Sequence, residues 1–183
     1  MNAKLVKPAA FRLCVQPPLD GGARTRNVHA MIDYFTAWND HNFDALMEVF
    51  APGAIYQDPN WRGAVGDEGF QRYALRLWNA FPDLHNHVES LDQYEVDRAI
   101  GEWVLLGTNT GGFLGLEASQ RSVRLRGADM FHFRDGKIAG VVSHFDNFEL
   151  ARQIGLEVIV RQPESGQQFP SDQSSELAKR RKL

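Results

Sequence analysis

The alternation of apolar and polar residues is most regular between residues 122 and 146, where it predicts two long antiparallel strands. The Asp-Gly pair between them adopts positive φ readily and predicts a tight hairpin turn at residues 134–137. One face of the first strand carries Val123, Leu125, Asp129, Phe131 and Phe133. Asp129 is therefore predicted to lie on the apolar face of the sheet, in line with two phenylalanines.

A carboxylate in this position is unusual, because burying it charged and unpaired costs several kcal/mol. Asp129 is therefore expected to be either paired or protonated. One interpretation is structural, with the carboxylate hydrogen-bonded to a loop or salt-bridged across the sheet. The other is functional, with the carboxylate in a ligand cavity and its pKa well above the ordinary value of an aspartate.

Upstream of these strands, apolar residues recur at helical spacing and predict three helices, at residues 28–38, 43–50 and 66–80. A short strand is predicted at residues 54–57, before the third helix. After that helix, four strands are predicted at 85–91, 94–110, 121–134 and 138–146, followed by a helical turn at 151–155. This order predicts an α+β fold, in which three helices pack on a strongly curved antiparallel sheet. The expected shape is a cone-shaped barrel with an apolar cavity of the kind that binds small molecules.

Length and composition limit the function classes. The chain has 183 residues, 23% of them charged, and a net charge of −3, so neither nucleic acid nor a membrane surface is an expected partner. Its single cysteine, Cys14, excludes an internal disulfide, and the predicted location is cytoplasmic. The predicted organisation is an N-terminal extension (1–25), one domain (26–160) and a flexible C-terminal tail (161–183).

The inventory of chemical motifs predicts neither a metal nor a cofactor. The sequence has no glycine-rich phosphate loop, no G-x-S-x-G motif and no Cys–His pair. His85 and His87 share one face of a predicted strand, but no third ligand lies at a metal-site spacing.

Five segments carry a family resemblance. In chain order they are YFTAWNDHNFDALMEVFAPGAIYQDP, WNAFPD, GTNTGGFLGL, RGADMFHFRDGKIAG and ELARQIG. Over roughly residues 28–156 the chain resembles the SnoaL-like branch of the nuclear transport factor 2-like superfamily. That superfamily includes polyketide cyclases, steroid isomerases, epoxide hydrolases, dehydratases and non-catalytic domains, so the resemblance implies the fold more strongly than an activity. It also implies a homodimer through the outer sheet face, near Met130, His132 and Val142.

The resemblance to ketosteroid isomerase implies roles for three residues. Tyr34 occupies the position of the oxyanion tyrosine in the first helix, and Asp58, before Pro59, occupies that of the general base. Asp129 occupies the position of the protonated aspartate that donates a hydrogen bond to the oxyanion. The implied reaction is an enolisation without a cofactor.

Two other members of the superfamily match less well. Ser143 stands where the SnoaL cyclase has its catalytic aspartate, and Asp129 stands where that enzyme has the histidine partner. Ser143 cannot act as that base, which argues against the aldol cyclisation. Gly127 stands where the epoxide hydrolase has the arginine of its Asp-Arg-Asp relay, so that relay is broken.

Two hypotheses follow. The first is an isomerase, cyclase or dehydratase that uses Asp58, Tyr34 and Asp129 on a hydrophobic substrate; the expected binding residues are Trp38, Phe50, Tyr56, Trp61, Phe81, Phe113, Leu114, Phe131 and Ser143. The second is a non-catalytic domain that binds a hydrophobic ligand or serves oligomerisation. The two differ in whether Tyr34, Asp58 and Asp129 converge on one dry cavity; an Asp58 that points to solvent or caps a loop would count against the enzyme with Asp58 as its base.

Overall fold

The structure, a computed structural model, describes residues 21–113, 115–157 and 159 of the chain. Among these residues there are four helices: α1 (Gly21–Asn39), α2 (Phe43–Val49), α3 (Glu68–Ala80) and α4 (Asn147–Gln153). The six strands are β1 (Phe50–Gln57), β2 (Arg62–Ala64), β3 (His85–Glu95), β4 (Arg98–Thr108), β5 (Ser122–Arg134) and β6 (Lys137–Phe145). The predicted α+β class is confirmed. The predicted C-terminal tail and most of the predicted N-terminal extension lie outside the described residues.

The strands form one open sheet in the order β2-β1-β6-β5-β4-β3. Strands β3 to β6 pair antiparallel in succession, as predicted. β1 instead runs parallel to β6, with Tyr56 beside Val141. This parallel pair corrects the prediction of a purely antiparallel sheet. The sequence could not show it, because most of the domain separates β1 from β6 and no hairpin turn fixes their relative direction.

The hairpin between β5 and β6 has the predicted turn, with φ of 54° at Asp135 and 76° at Gly136. The turn between β3 and β4 lies at residues 96–97 rather than in the predicted gap at 92–93, because the ladder continues to the pair of Glu95 with Arg98. β2 was not predicted, since three residues are too few to show an alternation. α4 begins earlier than the predicted helical turn, because the Asp146 side chain caps its first backbone N–H groups.

The helices cover one face of the sheet. α1 buries Met31, Tyr34, Phe35 and Trp38 in a core cluster with residues of β4, β5 and β6, while Ile32 is 41% exposed. A second apolar cluster lies toward the other end of the sheet and contains Phe81, Leu84, Phe113, Val123, Leu125, Leu150 and Ile154. The cavity described below takes its walls from both clusters.

Candidate active site

Asp129 lies in the middle of β5, opposite Gly101 on β4 and Ser143 on β6. The residue is 3% exposed, and its carboxylate accepts hydrogen bonds from the Tyr34 hydroxyl at 3.0 Å (Oδ2) and from the Trp103 indole at 2.9 Å (Oδ1). Burial raises the pKa of Asp129 to about 6, although hydrogen bonds from Ser143, Trp103 and Tyr34 oppose the rise. The direction agrees with the expectation from the sequence. The groups that hold Asp129 are neutral donors and not cations.

A glycine allows Trp103 to reach Asp129. Trp103 on β4 lies directly opposite Gly127 on β5, two residues before Asp129. A Cβ atom at Gly127 would lie 2.3 Å from Cη2 of the Trp103 ring, far inside van der Waals contact. Gly127, which stands where the epoxide hydrolase has an arginine, therefore leaves space for the Trp103 indole that donates to Asp129.

Asp58 follows β1 and has a different environment. Its Oδ1 atom accepts from the backbone N–H groups of Asn60 and Trp61, both at 2.7 Å, and so holds the loop that follows. Its Oδ2 atom accepts from the hydroxyls of Tyr56, at 3.3 Å, and Tyr73. Burial raises the pKa of Asp58, although these hydrogen bonds lower it in part. Four donors occupy the roughly four acceptor positions of a carboxylate.

Tyr34, Asp58 and Asp129 line one cavity between the helices and the sheet. Burial and the neighbouring carboxylates raise the pKa of Tyr34, Tyr56 and Tyr73 well above 10, so these three hydroxyls stay protonated at neutral pH. The cavity volume is about 60 Å³. This space holds a few water molecules, whereas drug-sized ligands occupy hundreds of Å³, so a larger ligand requires the side chains at the mouth to move.

The predicted binding residues divide into three groups. Five line the cavity: Trp38, Tyr56, Phe81, Phe113 and Ser143. Phe50 and Phe131 are not among its lining residues; both are buried in the core, where their rings contact the edge or face of the Tyr34 ring at centroid distances of 6.0 and 5.3 Å. Trp61 lines a neighbouring surface groove, and Leu114 lies outside the described residues.

Sequence reasoning missed Tyr73 and Trp103, which donate hydrogen bonds to the two carboxylates of the cavity. The hydroxyl of Tyr73 on α3 reaches Asp58 across 15 positions of the sequence. Trp103 could have been found from strand alternation, since it faces Gly127 once the β4–β5 register is known. That register is set by the connection of residues 109–121 between β4 and β5, a long loop whose sequence has no hairpin signature.

The described residues hold neither a metal-binding cluster nor a membrane-spanning helix. They contain no group of three or more His, Cys, Asp or Glu side chains that could hold a metal ion. Of their helices, none is both long enough and apolar enough to cross a membrane.

The fold and the cavity define a cone-shaped α+β protein with two buried carboxylates at an apolar pocket. The family profile of the SnoaL-like polyketide cyclases matches residues 29–154, and the chain belongs to this family. No curated protein matches the sequence.

Comparison with solved structures gives the same fold. A proposed SnoaL-like polyketide cyclase from Jannaschia sp. CCS1 is 22% identical, with 75% of this chain and 97% of that chain covered and a TM-score of 0.67. IdmH, a proposed polyketide cyclase from Streptomyces antibioticus, is 22% identical (71% and 99% covered, TM-score 0.61). AclR, a proposed hydroxylase from Streptomyces galilaeus, is 19% identical (72% and 96% covered, TM-score 0.63). At these identities the likeness shows the fold alone.

Proposed function

We propose that this protein is a cofactor-independent enzyme that acts at a carbon next to a carbonyl group of an apolar, aromatic substrate, by cyclisation, isomerisation or dehydration. The observation that carries the proposal is Asp129, a fully enclosed carboxylate that lines an apolar cavity and has a pKa of about 6. A base with a pKa near the working pH is both ionised and strong enough to take a proton. The family, and the names of relatives such as IdmH, support a cyclase.

The hydrogen bonds support a different division of roles from the one that the resemblance implied. Asp58 was the expected base, but its acceptor positions are filled by two backbone N–H groups and two tyrosines. Asp129 has fewer donors and is the more buried of the two carboxylates, 3% exposed against 7% for Asp58. We therefore assign proton abstraction to Asp129, held in place by Tyr34 and Trp103.

The proposed step balances without another reactant. Asp129 takes the α-proton, the C–H electron pair forms the enolate double bond, and the carbonyl π electrons move to the oxygen. The hydroxyls of Tyr56 and Tyr73 line the same cavity and could stabilise this oxygen by turning from Asp58 to the substrate. In a cyclisation the enolate carbon then attacks a second carbonyl of the same substrate, whose oxygen takes up the proton.

The second candidate is a non-catalytic domain that binds a hydrophobic ligand. One observation favours it: the Asp58 carboxylate has an internal partner for every acceptor position and holds its own loop, as a purely structural aspartate does. The homodimer through the outer sheet face remains part of the proposal and is tested by the mass of the protein in solution.

Proton exchange separates the two candidates. 2-Tetralone has acidic protons between its ring and its carbonyl, and their exchange for deuterium in D₂O is followed by proton NMR. The enzyme hypothesis predicts that the protein accelerates exchange, that the rate rises with pH through about 6 as Asp129 ionises, and that Asp129→Asn lowers it about a hundredfold or more.

Two further variants sharpen this test. Asp135→Asn removes the same charge from the hairpin turn, where asparagine also accepts positive φ, and should leave exchange unchanged. Asp58→Asn should lower exchange less than Asp129→Asn, and the reverse order would restore Asp58 as the base. Equal exchange with the native protein and Asp129→Asn would refute the enzyme hypothesis and leave the binding domain.

A further inference from the structure

A surface groove continues outward from the cavity, and we call it the outer groove. One wall is a face of α3, the other contains Gly112, Phe113, Gly115 and Leu116, and Trp61 also lines the groove. The outer groove and the cavity share Asn60, Tyr73, Leu77 and Phe113. Its volume is about 860 Å³, against about 60 Å³ for the cavity. A substrate of ordinary size therefore fits only if most of it lies in the outer groove.

The outer groove carries positive charge. Arg72 and Arg76 lie one turn apart on the same face of α3, and both line the groove. Arg72 pairs with Glu68 at 3.0 Å, but both side chains are exposed, so this ion pair contributes little. Arg76 is exposed and forms no hydrogen bond or ion pair with any residue that the structure describes.

The opposite end of the same path carries the two carboxylates. Asp58 and Asp129 lie in the cavity, where a negatively charged group would meet both repulsion and desolvation. Between the arginines and the carboxylates, the rings of Trp61 and Tyr73 stack at a centroid distance of 5.7 Å with 20° between their planes. The path is therefore cationic outside, aromatic in the middle and anionic inside.

We propose that the outer groove binds a carboxylate at one end of the substrate. This inference rests on the proposed function, because it places the reacting carbonyl end in the cavity. The substrate class is a planar aromatic carboxylate whose anionic end lies at Arg76 and Arg72, whose ring lies along Trp61 and Tyr73, and whose neutral end reaches Asp129. An arginine guanidinium suits a carboxylate because it can donate two parallel hydrogen bonds. The charge polarity of the path fixes the direction in which the substrate enters.

The test is a binding measurement with two probes of the same shape. 2-Naphthoate carries the carboxylate, and naphthalene-2-carboxamide is its neutral counterpart; their affinities are measured by calorimetry at low salt. The inference predicts that naphthoate binds about tenfold more tightly, that this preference shrinks as salt is added, and that Arg76→Gln abolishes it. Arg124→Gln removes the same charge from the outer face of β5 and should keep the preference.

Several results would overturn the inference: equal binding of both probes by the native protein, a preference that survives Arg76→Gln, or one that Arg124→Gln removes equally. The exchange of 2-tetralone reports separately on the proposed function, since that ketone carries no charge. If the carboxylate preference is absent while Asp129-dependent exchange persists, only this inference fails. If exchange does not depend on Asp129 while the preference is present, only the proposed function fails.

Discussion

Replacement of Asp129 by asparagine should change the pH dependence of stability, whatever the substrate is. The pKa of Asp129 is about 6 in the folded protein, against an ordinary 3.8. That difference corresponds to about 3 kcal/mol by which folding disfavours the ionised carboxylate. Asparagine has a similar shape and carries no proton that titrates in this range.

The sign follows from proton binding. Between pH 3.8 and about 6 the folded protein keeps the Asp129 proton that the unfolded chain has lost. The native protein therefore loses stability as pH rises through this window and reaches a plateau above pH 6. The variant lacks this contribution, so its free energy of unfolding should gain about 2 kcal/mol relative to the native protein between pH 4 and pH 7, because pH 4 already lies above the lower of the two pKa values.

The asparagine itself introduces only a pH-independent offset. Its oxygen can still accept from the Trp103 indole, and its amide can turn toward the Tyr34 hydroxyl, which can accept as well as donate. Any cost of the rearranged hydrogen bonds shifts the curve of the variant without changing its slope. Asp58, which also has a raised pKa, is present in both proteins, so its own contribution largely cancels in the difference.

The assay is urea unfolding of both proteins at half-unit steps from pH 4 to pH 8, with the tryptophan fluorescence as the signal. Asp135→Asn is the control, because it removes an exposed carboxylate from the hairpin turn, outside the cavity. A difference between Asp129→Asn and the native protein that stays constant with pH would refute the reasoning. A difference that falls as pH rises would mean that the pKa of Asp129 is lowered by its hydrogen bonds more than it is raised by burial.

Two other perturbations test the neighbouring contacts. Gly127→Ala should lower the free energy of unfolding by about 2 kcal/mol, because the new methyl group overlaps the Trp103 ring; Gly140→Ala, whose nearest contact would be an ordinary 3.6 Å, should change it by no more than about 0.5 kcal/mol. Equal effects in urea unfolding would contradict this explanation. Tyr73→Phe removes the largest of the hydrogen bonds that lower the pKa of Asp58, so its carboxyl carbon should titrate at higher pH in carbon-13 NMR; an unchanged or lower midpoint would show that this hydrogen bond does not hold the carboxylate.

The sequence was sufficient for the fold and for the position of Asp129. Strand alternation places Asp129 on the buried face whatever the neighbouring strands do, and the structure leaves it 3% exposed. The structure places Phe50 and Phe131, two of the predicted ligand contacts, in the core beside Tyr34 and not along the cavity. A buried aromatic ring satisfies an apolar pattern equally well against a ligand or against Tyr34, and only the packing of the core distinguishes the two cases.

The roles of the two carboxylates could not be predicted from residue types. Asp58 matches the position of a base before a proline. Its hydrogen bonds, however, come from Tyr56, from Tyr73 in the sixth position of α3, and from backbone groups of its own loop. Such contacts depend on how a loop closes and on how a helix is rotated against the sheet. Neither is encoded in a local pattern.

The two carboxylates share one cavity, but they differ in their hydrogen-bond partners and in their burial. Asp58 has a donor for each acceptor position, so a substrate proton could reach it only after a tyrosine had moved away. Asp129 has an apolar environment and fewer donors, which keeps its pKa near 6 and its carboxylate able to accept a proton. When two titratable groups in one site differ in this way, the less satisfied one is the better base and the other better fixes the geometry. The proposed roles follow: Asp129 would act on the substrate, and Asp58 would hold Tyr56 and Tyr73 at the cavity, where each can donate to the substrate only by turning its single O–H away from Asp58.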